Sequence, residues 1–231
     1  CLDIDKVIQS HRTIMDRTDP DQRISIMVDE WGTWWDEEPG TVRGHLYQQN
    51  TMRDAFVAAL SLMVFHKHGE RVKMANIAQL ANVLQAMVLT KDDKMVLTPT
   101  YHVFEMFKVH QDADFMPLEV NSPDLVTPDK KVIQSVYATA SVNQKGTMHI
   151  SLANVSLDRS CEVTVNLNGA QYKESSGRIL TSGEISDHND FDHPHTVKPE
   201  PYTGMKSGKD FLTLTMPAKS IVTVELVPAG K

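Results

Sequence analysis

The chain has 231 residues, of which 41% are hydrophobic, and a formal net charge of -7. This length suits one large globular domain or two ordinary ones. Interspersed acids and bases argue against nucleic acid as a partner, because phosphate binding needs a concentrated basic face. No run approaches the roughly 18 to 20 apolar residues of a membrane span. Cys1 and Cys161 are too few for a disulfide framework and lack metal spacing. We expect no cofactor and no metal.

The chain begins at Cys1 and passes directly into a helical pattern. Ile4, Val7 and Ile8 follow helical spacing, which predicts a helix over residues 3–16. No signal-peptide pattern is present. We expect the chain to be a fragment of a longer polypeptide, and its compartment stays open.

Helices and apolar strands alternate over residues 1–115, which is typical of βα units and a parallel sheet. The predicted elements after the first helix are a strand at 23–29, a helix at 51–67, a strand at 71–79 and a helix at 98–110. Two βα units cannot close an eight-stranded barrel. This region is therefore either a small open sheet or the end of a barrel begun upstream, and the abrupt start favours the barrel.

Residues 116–231 lose helical periodicity and form short alternating runs separated by turn residues. This pattern is typical of an antiparallel sandwich. The predicted strands are at 135–142, 147–154, 161–166, 177–181, 211–216 and 221–227. The predicted fold class is therefore α/β followed by all-β, with domains at 1–115 and 116–231.

Glu30 ends the strand predicted at 23–29 and is followed by Trp31, Trp34 and Trp35. A carboxylate at the carboxyl end of a barrel strand is typical of a catalytic residue. Aromatic faces suit the apolar faces of a sugar ring, and carboxylates serve glycoside hydrolysis. The alternatives are a salt-bridged acid and three core tryptophans. Three tryptophans within five loop positions cannot share one core face, so we expect at least one to line a cavity.

Asp29 precedes Glu30 directly. In a regular strand their side chains point to opposite faces, so we do not expect an acid/base pair. We expect Asp29 to face the helices and accept a hydrogen bond there. A metal site that uses both carboxylates fails for the same reason unless the strand bulges. We expect Asp36, Glu37 and Glu38 to be a solvated charge run.

The motif Asp29-Glu30-Trp31-Gly32-Thr33-Trp34-Trp35 resembles the nucleophile segment of family 51 glycoside hydrolases, the α-L-arabinofuranosidases. Residues 46–55 (LYQQNTMRDA), 72–80 (VKMANIAQL) and 97–104 (LTPTYHVF) resemble later barrel segments of that family, and 188–199 resembles its C-terminal sandwich. The resemblance covers essentially the whole chain. It implies the last βα units of a TIM (β/α)8 barrel, followed by a jelly-roll-like β-sandwich.

The resemblance also implies roles for single residues. Glu30 matches the nucleophile of a retaining double displacement, Trp34 an aromatic residue lining the arabinose subsite, and Gln79 a residue contacting the sugar. The family's acid/base glutamate follows an asparagine on an earlier strand, and this pair has no counterpart here. The implied partners are an arabinose-containing oligo- or polysaccharide, the N-terminal remainder of the enzyme, and further copies in a homo-oligomer.

Two alternatives come from other features. Histidines and carboxylates cluster over residues 187–195 and offer a metal site, although a loop held by Asx-type turns is expected instead. The second alternative is a carbohydrate-binding sandwich without catalytic activity. It predicts exposed aromatic side chains on a sandwich face, for which the candidates are Tyr137, Tyr172, Tyr202 and Phe211.

Overall fold

The computed structural model describes residues 1–208 and 210–229. Its helices are α1 (Ile4–Thr18), α2 (Met52–Lys67) and α3 (Pro99–Phe107), and a 3-10 turn (Lys108–His110) follows α3. Its strands are β1 (Ile26–Trp31), β2 (Val72–Ile77), β3 (Val88–Lys91), β4 (Lys94–Leu97), β5 (Asp114–Met116), β6 (Asp124–Val126), β7 (Val132–Gln134), β8 (Val136–Val142), β9 (Met148–Asn154), β10 (Cys161–Asn166), β11 (Tyr172–Thr181), β12 (Glu200–Pro201), β13 (Met205–Ser207), β14 (Phe211–Met216) and β15 (Ser220–Pro228). Every long element predicted from the sequence is confirmed, with its ends moved by a few residues. The strands that were not predicted are two to four residues long. They are too short for an alternation of apolar and polar residues to be recognised.

Strands β1 and β2 form a parallel two-stranded sheet, and α2 lies between them in the chain. Helix α2 begins where Thr51 and Asp54 form a capping box, in which the Asp54 carboxylate accepts the Thr51 backbone N–H at 2.8 Å. One face of the sheet packs on α1 and α2 through a cluster that includes Ile8, Phe65 and Val72. The unit is the βαβ arrangement that the alternating pattern predicted.

The second half of the chain contains a six-stranded antiparallel sheet, in the order β12-β11-β15-β9-β8-β5, and a three-stranded sheet, in the order β10-β14-β13. Leu152, Val222 and Val224 of the larger sheet pack against Leu212 and Leu214 of the smaller one. These sheets are the predicted sandwich.

The opposite face of the six-stranded sheet packs on α2 and α3. Neighbouring residues alternate between the two faces: Ile221 packs against the helices and Val222 against the three-stranded sheet. The larger sheet is therefore the middle of three layers, buried on both faces.

Strand β5 (Asp114–Met116) spans the expected boundary between residues 115 and 116. It pairs with β8 at the edge of the six-stranded sheet. The division into 1–115 and 116–231 stays a prediction. Within the described parts of the chain, no helix is long and apolar enough to cross a membrane.

Candidate functional site

The carboxyl end of β1 is irregular at the motif that carries Glu30. The pairing of β1 with β2 shifts its register between Val28 and Trp31, and both of these side chains pack toward the helices. Asp29 and Glu30 lie between them and are both exposed. The expected alternation of Asp29 and Glu30 is therefore wrong, because the extra residue of a bulge changes the phase of the strand.

Asp29 does not face the helices. Across residues 1–208 and 210–229, neither its side chain nor that of Glu30 forms a hydrogen bond or an ion pair, so the donor expected for Asp29 is not found there. The bulge leaves both carboxylates on the exposed side of the sheet. The same described ranges contain no group of three histidine, cysteine, aspartate or glutamate side chains arranged to hold a metal ion.

Gln79 lies at the same edge of the sheet as Glu30. The two strands are parallel, and Trp31 pairs with Ile77, so the residues that follow each strand are neighbours. The Ala78 backbone N–H donates to the Trp31 carbonyl at 2.9 Å, which holds the two strand ends together. The peptide bond between Ala78 and Gln79 is cis, and the Gln79 side chain is exposed.

The three tryptophans have different environments. Trp31 packs between Phe65 and Phe104, with ring centroids 5.2 Å and 5.8 Å away, and is part of the helix-facing core. Trp34 is 71% exposed and Trp35 is 43% exposed. Trp34 is therefore the indole most available to a ligand in the segment that follows β1.

Buried polar side chains hold the residues on either side of Trp34. The Thr33 hydroxyl and the Trp35 indole N–H each donate to Asp54 Oδ1 at 2.9 Å. The Thr33 backbone N–H donates to Gln85 Oε1 at 2.9 Å, and the Trp35 backbone N–H donates to Gln48 Oε1 at 2.8 Å.

These three anchors were missed at the level of sequence. Asp54 and Gln85 are fully buried and Gln48 nearly so. The Thr51-x-x-Asp54 spacing of a capping box was an available signal for Asp54. Nothing local to Gln48 or Gln85 indicates what either side chain contacts.

Two acids of the expected charge run have structural partners. Glu37 accepts the backbone N–H groups of Gly44 and Leu46 at 2.6 Å and 2.8 Å, and Glu38 accepts that of Gln49 at 2.9 Å. The prediction of a solvated run is wrong for these two residues, because the following loop folds back over them. Their carboxylates close the loop between β1 and α2.

The loop at residues 187–195 contacts the start of α2, where the Met52 backbone N–H donates to the Asp187 carbonyl at 2.9 Å. Asp190 accepts the backbone N–H groups of Asp192 and His193 at 2.8 Å and 2.6 Å, and these bonds lower the pKa of its carboxyl. Fully buried Asn189 donates to the Leu97 and Val197 carbonyls. Asp190 thus forms the Asx-type turn that was expected, whereas Asn189 joins the loop to Val197 and to the end of β4.

The aromatic side chains named for the binding-module alternative mostly lie inside the fold. Tyr202 is 8% exposed, and its hydroxyl donates to the Thr215 carbonyl at 2.9 Å. Tyr137 and Tyr172 are half-buried against the two main cores. Among the four candidates, only Phe211 is exposed, at 45%. These four residues do not form the exposed aromatic face that the alternative predicts.

An exposed carboxylate and an exposed indole at the carboxyl edge of parallel strands are typical of proteins that act on glycosides. Residues 29–220 match the family described as the alpha-L-arabinofuranosidase C-terminal domain. The chain belongs to this family. The resemblance inferred from the motif at residues 29–35 is thereby confirmed.

Individual relatives agree with this assignment. The chain is 54% identical over 226 residues to an intracellular exo-alpha-L-arabinofuranosidase of Bacteroides ovatus. The match covers 98% of this chain and 44% of that protein. The structure of a family 51 arabinofuranosidase from Xanthomonas axonopodis pv. citri matches with a TM-score of 0.94 and 42% identity, over 97% of this chain and 45% of that one. A family 51 enzyme from Bifidobacterium longum has the same fold at 23% identity, with a TM-score of 0.84 over 97% of this chain and 47% of that one. The chain spans less than half the length of each.

Proposed function

We propose that this chain is the C-terminal part of a retaining α-L-arabinofuranosidase that removes terminal α-L-arabinofuranosyl residues from an oligo- or polysaccharide. The observation that carries the proposal is the exposure of Glu30 at the β1 bulge, beside exposed Trp34, in a chain 54% identical to an exo-alpha-L-arabinofuranosidase. In this proposal residues 1–115 are the last βα units of a (β/α)8 barrel, and residues 116–231 are its sandwich domain.

The exposed face of the β1–β2 sheet supports the barrel. Met27 and Met74 are paired neighbours on that sheet, and they are 51% and 50% exposed. The face of the sheet that points away from the helices carries these apolar side chains. In a parallel barrel such a face is buried because further strands close the sheet around it. The remaining strands belong, in this proposal, to the upstream part of the same polypeptide.

The chemistry follows from the position of Glu30. Its carboxylate attacks C1 of the arabinofuranosyl unit, and the bond from C1 to the leaving oxygen breaks while an acid protonates that oxygen. Water then attacks C1 of the glycosyl ester, the same acid acts as base, and Glu30 is released as a carboxylate. Trp34 covers one face of the sugar, and the Gln79 amide contacts its hydroxyls.

The acid/base residue is proposed to lie in the upstream part of the enzyme, with its carboxyl about 5 to 5.5 Å from that of Glu30. General acid assistance contributes roughly 10² to 10⁴-fold to the rate. Residues 1–231 alone are therefore expected to be nearly inactive. The proposed partners are the N-terminal remainder and, in a homo-oligomer, further copies of the enzyme.

The test is to treat the complete enzyme with a mechanism-based α-L-arabinofuranosyl inactivator and map the label by mass spectrometry. We expect one sugar on Glu30, no label in Glu30→Gln, and normal labelling in Asp36→Asn, which alters another exposed carboxylate of the same segment. Labelling of a different carboxylate in active enzyme would overturn the assignment of Glu30.

A further inference from the structure

We propose that Asp54 is a positioning residue that sets the orientation of Trp34 by holding the residues on either side of it. The inference rests on the proposed function, in which Trp34 contacts the arabinosyl unit. It adds a residue from the first turn of α2 that does not itself contact the sugar.

The Asp54 carboxylate is fully buried and accepts hydrogen bonds from four other residues. Its Oδ1 accepts the Thr33 hydroxyl and the Trp35 indole N–H, each at 2.9 Å. Its Oδ2 accepts the Thr51 backbone N–H at 2.8 Å and Arg53 Nη2 at 3.2 Å. One carboxylate therefore joins the cap of α2 to the segment that follows Glu30.

Trp34 itself has no such anchor. Within residues 1–208 and 210–229 its side chain forms no hydrogen bond or ring contact, and it is 71% exposed. Its backbone runs between Thr33 and Trp35, which share the Oδ1 acceptor of Asp54. The direction in which the Trp34 indole leaves the chain is thus set by its two neighbours.

Two residues of the first turn of α2 contact Trp35, Arg53 at the face of the indole ring and Asp54 at its edge. The Arg53 guanidinium lies 3.9 Å from the ring centroid, as a cation–π contact, while the indole N–H donates to Asp54. Arg53 also donates to the same carboxylate. The first turn of α2 thereby holds Trp35 in one orientation.

Replacing Asp54 with asparagine keeps the side-chain shape and removes the charge. An amide NH₂ would then face groups that are themselves donors, and the surviving bonds to a neutral acceptor are weaker than those to a carboxylate. We expect the segment from Thr33 to Trp35 to lose its single orientation while α2 remains a helix, because tertiary packing supplies most of its stability.

The experiment measures kcat/KM of the complete enzyme on 4-nitrophenyl α-L-arabinofuranoside, together with inhibition by L-arabinose, at a temperature where each variant is folded. Asp54→Asn is expected to lower kcat/KM about tenfold or more and to weaken L-arabinose binding by a similar factor. The matched control, Asp36→Asn, removes an exposed charge from the same segment and is expected to change neither.

A double-mutant cycle with Trp34→Ala separates positioning from general stability. If Asp54 acts through Trp34, Asp54→Asn costs less than about threefold in the Trp34→Ala background, since no indole remains to be placed. An equal loss in both backgrounds would overturn the inference. If Trp34→Ala retains full activity, it is the proposed function of Trp34 that fails.

A second pair of variants tests the same bond if Asp54→Asn does not fold. Thr33→Val removes the hydroxyl that lies 2.9 Å from Asp54 Oδ1 and 3.2 Å from Gln85 Oε1, and Thr33→Ser retains it. We expect the serine variant to recover most of the kcat/KM lost in the valine variant. Equal activities of the two would contradict a role for the bond between Thr33 and Asp54.

Discussion

At the scale of single residues, Gly32 is the position that most constrains the candidate site. It lies between Glu30 and Thr33 with φ +138°, a conformation that L side chains rarely adopt. A Cβ at this position would lie 3.0 Å from Gln85 Oε1 and 3.3 Å from Ile77 Cδ1. Both the backbone conformation and the close packing therefore favour glycine at this position. Gly32 lies where the chain leaves β1 and enters the segment from Thr33 to Trp35.

Gly32→Ala is therefore expected to destabilise the complete enzyme by about 1 to 3 kcal/mol and to lower kcat/KM, because alanine is strained at this φ and its Cβ pushes on Gln85 Oε1, which accepts the Thr33 backbone N–H. Gly40→Ala is the control, since Gly40 also has a positive φ but has no atom within 4 Å of its Cβ position. We expect that variant to show only the smaller backbone cost and normal kcat/KM. The thermal unfolding midpoint measures the loss of stability, and a kinetic assay measures kcat/KM. A Gly32→Ala enzyme with full activity would contradict the expected loss of kcat/KM.

At the scale of elements, histidines form part of the polar contact between the helices and the six-stranded sheet. His110 Nδ1 and Nε2 lie 2.7 Å and 2.8 Å from the hydroxyls of Ser141 and Ser151. Burial, together with the nearby rings of His66 and His149, lowers the pKa of His110 to about 3.

Two more histidines belong to this contact. Burial lowers the pKa of His66, on α2, to about 4. His149, on β9, contacts the Glu225 carboxylate of β15 at 3.1 Å. The folded structure therefore favours the uncharged form of His66 and His110.

These lowered pKa values predict a loss of stability in acid. The unfolded chain binds a proton at each histidine near pH 6.5, whereas folded His66 and His110 stay neutral down to about 4 and 3. The free energy of unfolding therefore falls as pH drops below about 6.5, by about 1.4 kcal/mol per pH unit for each proton. Acid unfolding of the complete enzyme, followed by circular dichroism, measures this slope.

His110→Gln is expected to reduce the slope by about one proton between pH 6 and pH 4. Ser141→Ala is the control, because it removes a hydrogen bond to the ring but keeps the titrating group. We expect Ser141→Ala to lower stability while retaining the slope. An unchanged slope in His110→Gln would show that this histidine does not govern the acid response.

At the scale of the whole molecule, the six-stranded sheet joins two hydrophobic cores. Leu180 of β11 is fully buried and packs with α2 and α3, whereas Leu214 of β14 is fully buried between the two sheets. Helix α2, which carries Asp54, and helix α3 thus rest on one face of the sheet, and the three-stranded sheet covers the other.

Leu180→Ala and Leu214→Ala are each expected to cost about 2 to 5 kcal/mol, because a buried cavity replaces part of each leucine. We expect Leu180→Ala to speed amide exchange in α2 and α3. Leu214→Ala is expected to act mainly on β10, β13 and β14. Hydrogen exchange of the complete enzyme, read by mass spectrometry, compares the two, and unchanged exchange of α2 in Leu180→Ala would show that the helices do not depend on this core.

Helix α2 and the strands β8, β9, β14 and β15 were predictable because their apolar spacing is a local property of consecutive residues. The start of α3 was likewise predictable from Thr98 and Pro99, which serve as its cap and first residue. The bulge at Asp29 and Glu30 was not predictable, because which side chains of a strand face the core depends on its register with the partner strand. The role of Glu37 was hidden for a similar reason, since its partners are backbone groups of a loop that folds back.

The sequence by itself determined the order of the elements, the family, and the motif in which Glu30 precedes the tryptophans. Only the tertiary structure decided that Trp31 packs in the core while Trp34 stays exposed, that both Asp29 and Glu30 are exposed, and which buried groups hold the intervening turn. Thr33 and Gln85 are 52 positions apart in the chain yet share a hydrogen bond. Local spacing encodes periodicity and caps, whereas burial and hydrogen-bond partners depend on atoms that folding brings together from distant positions.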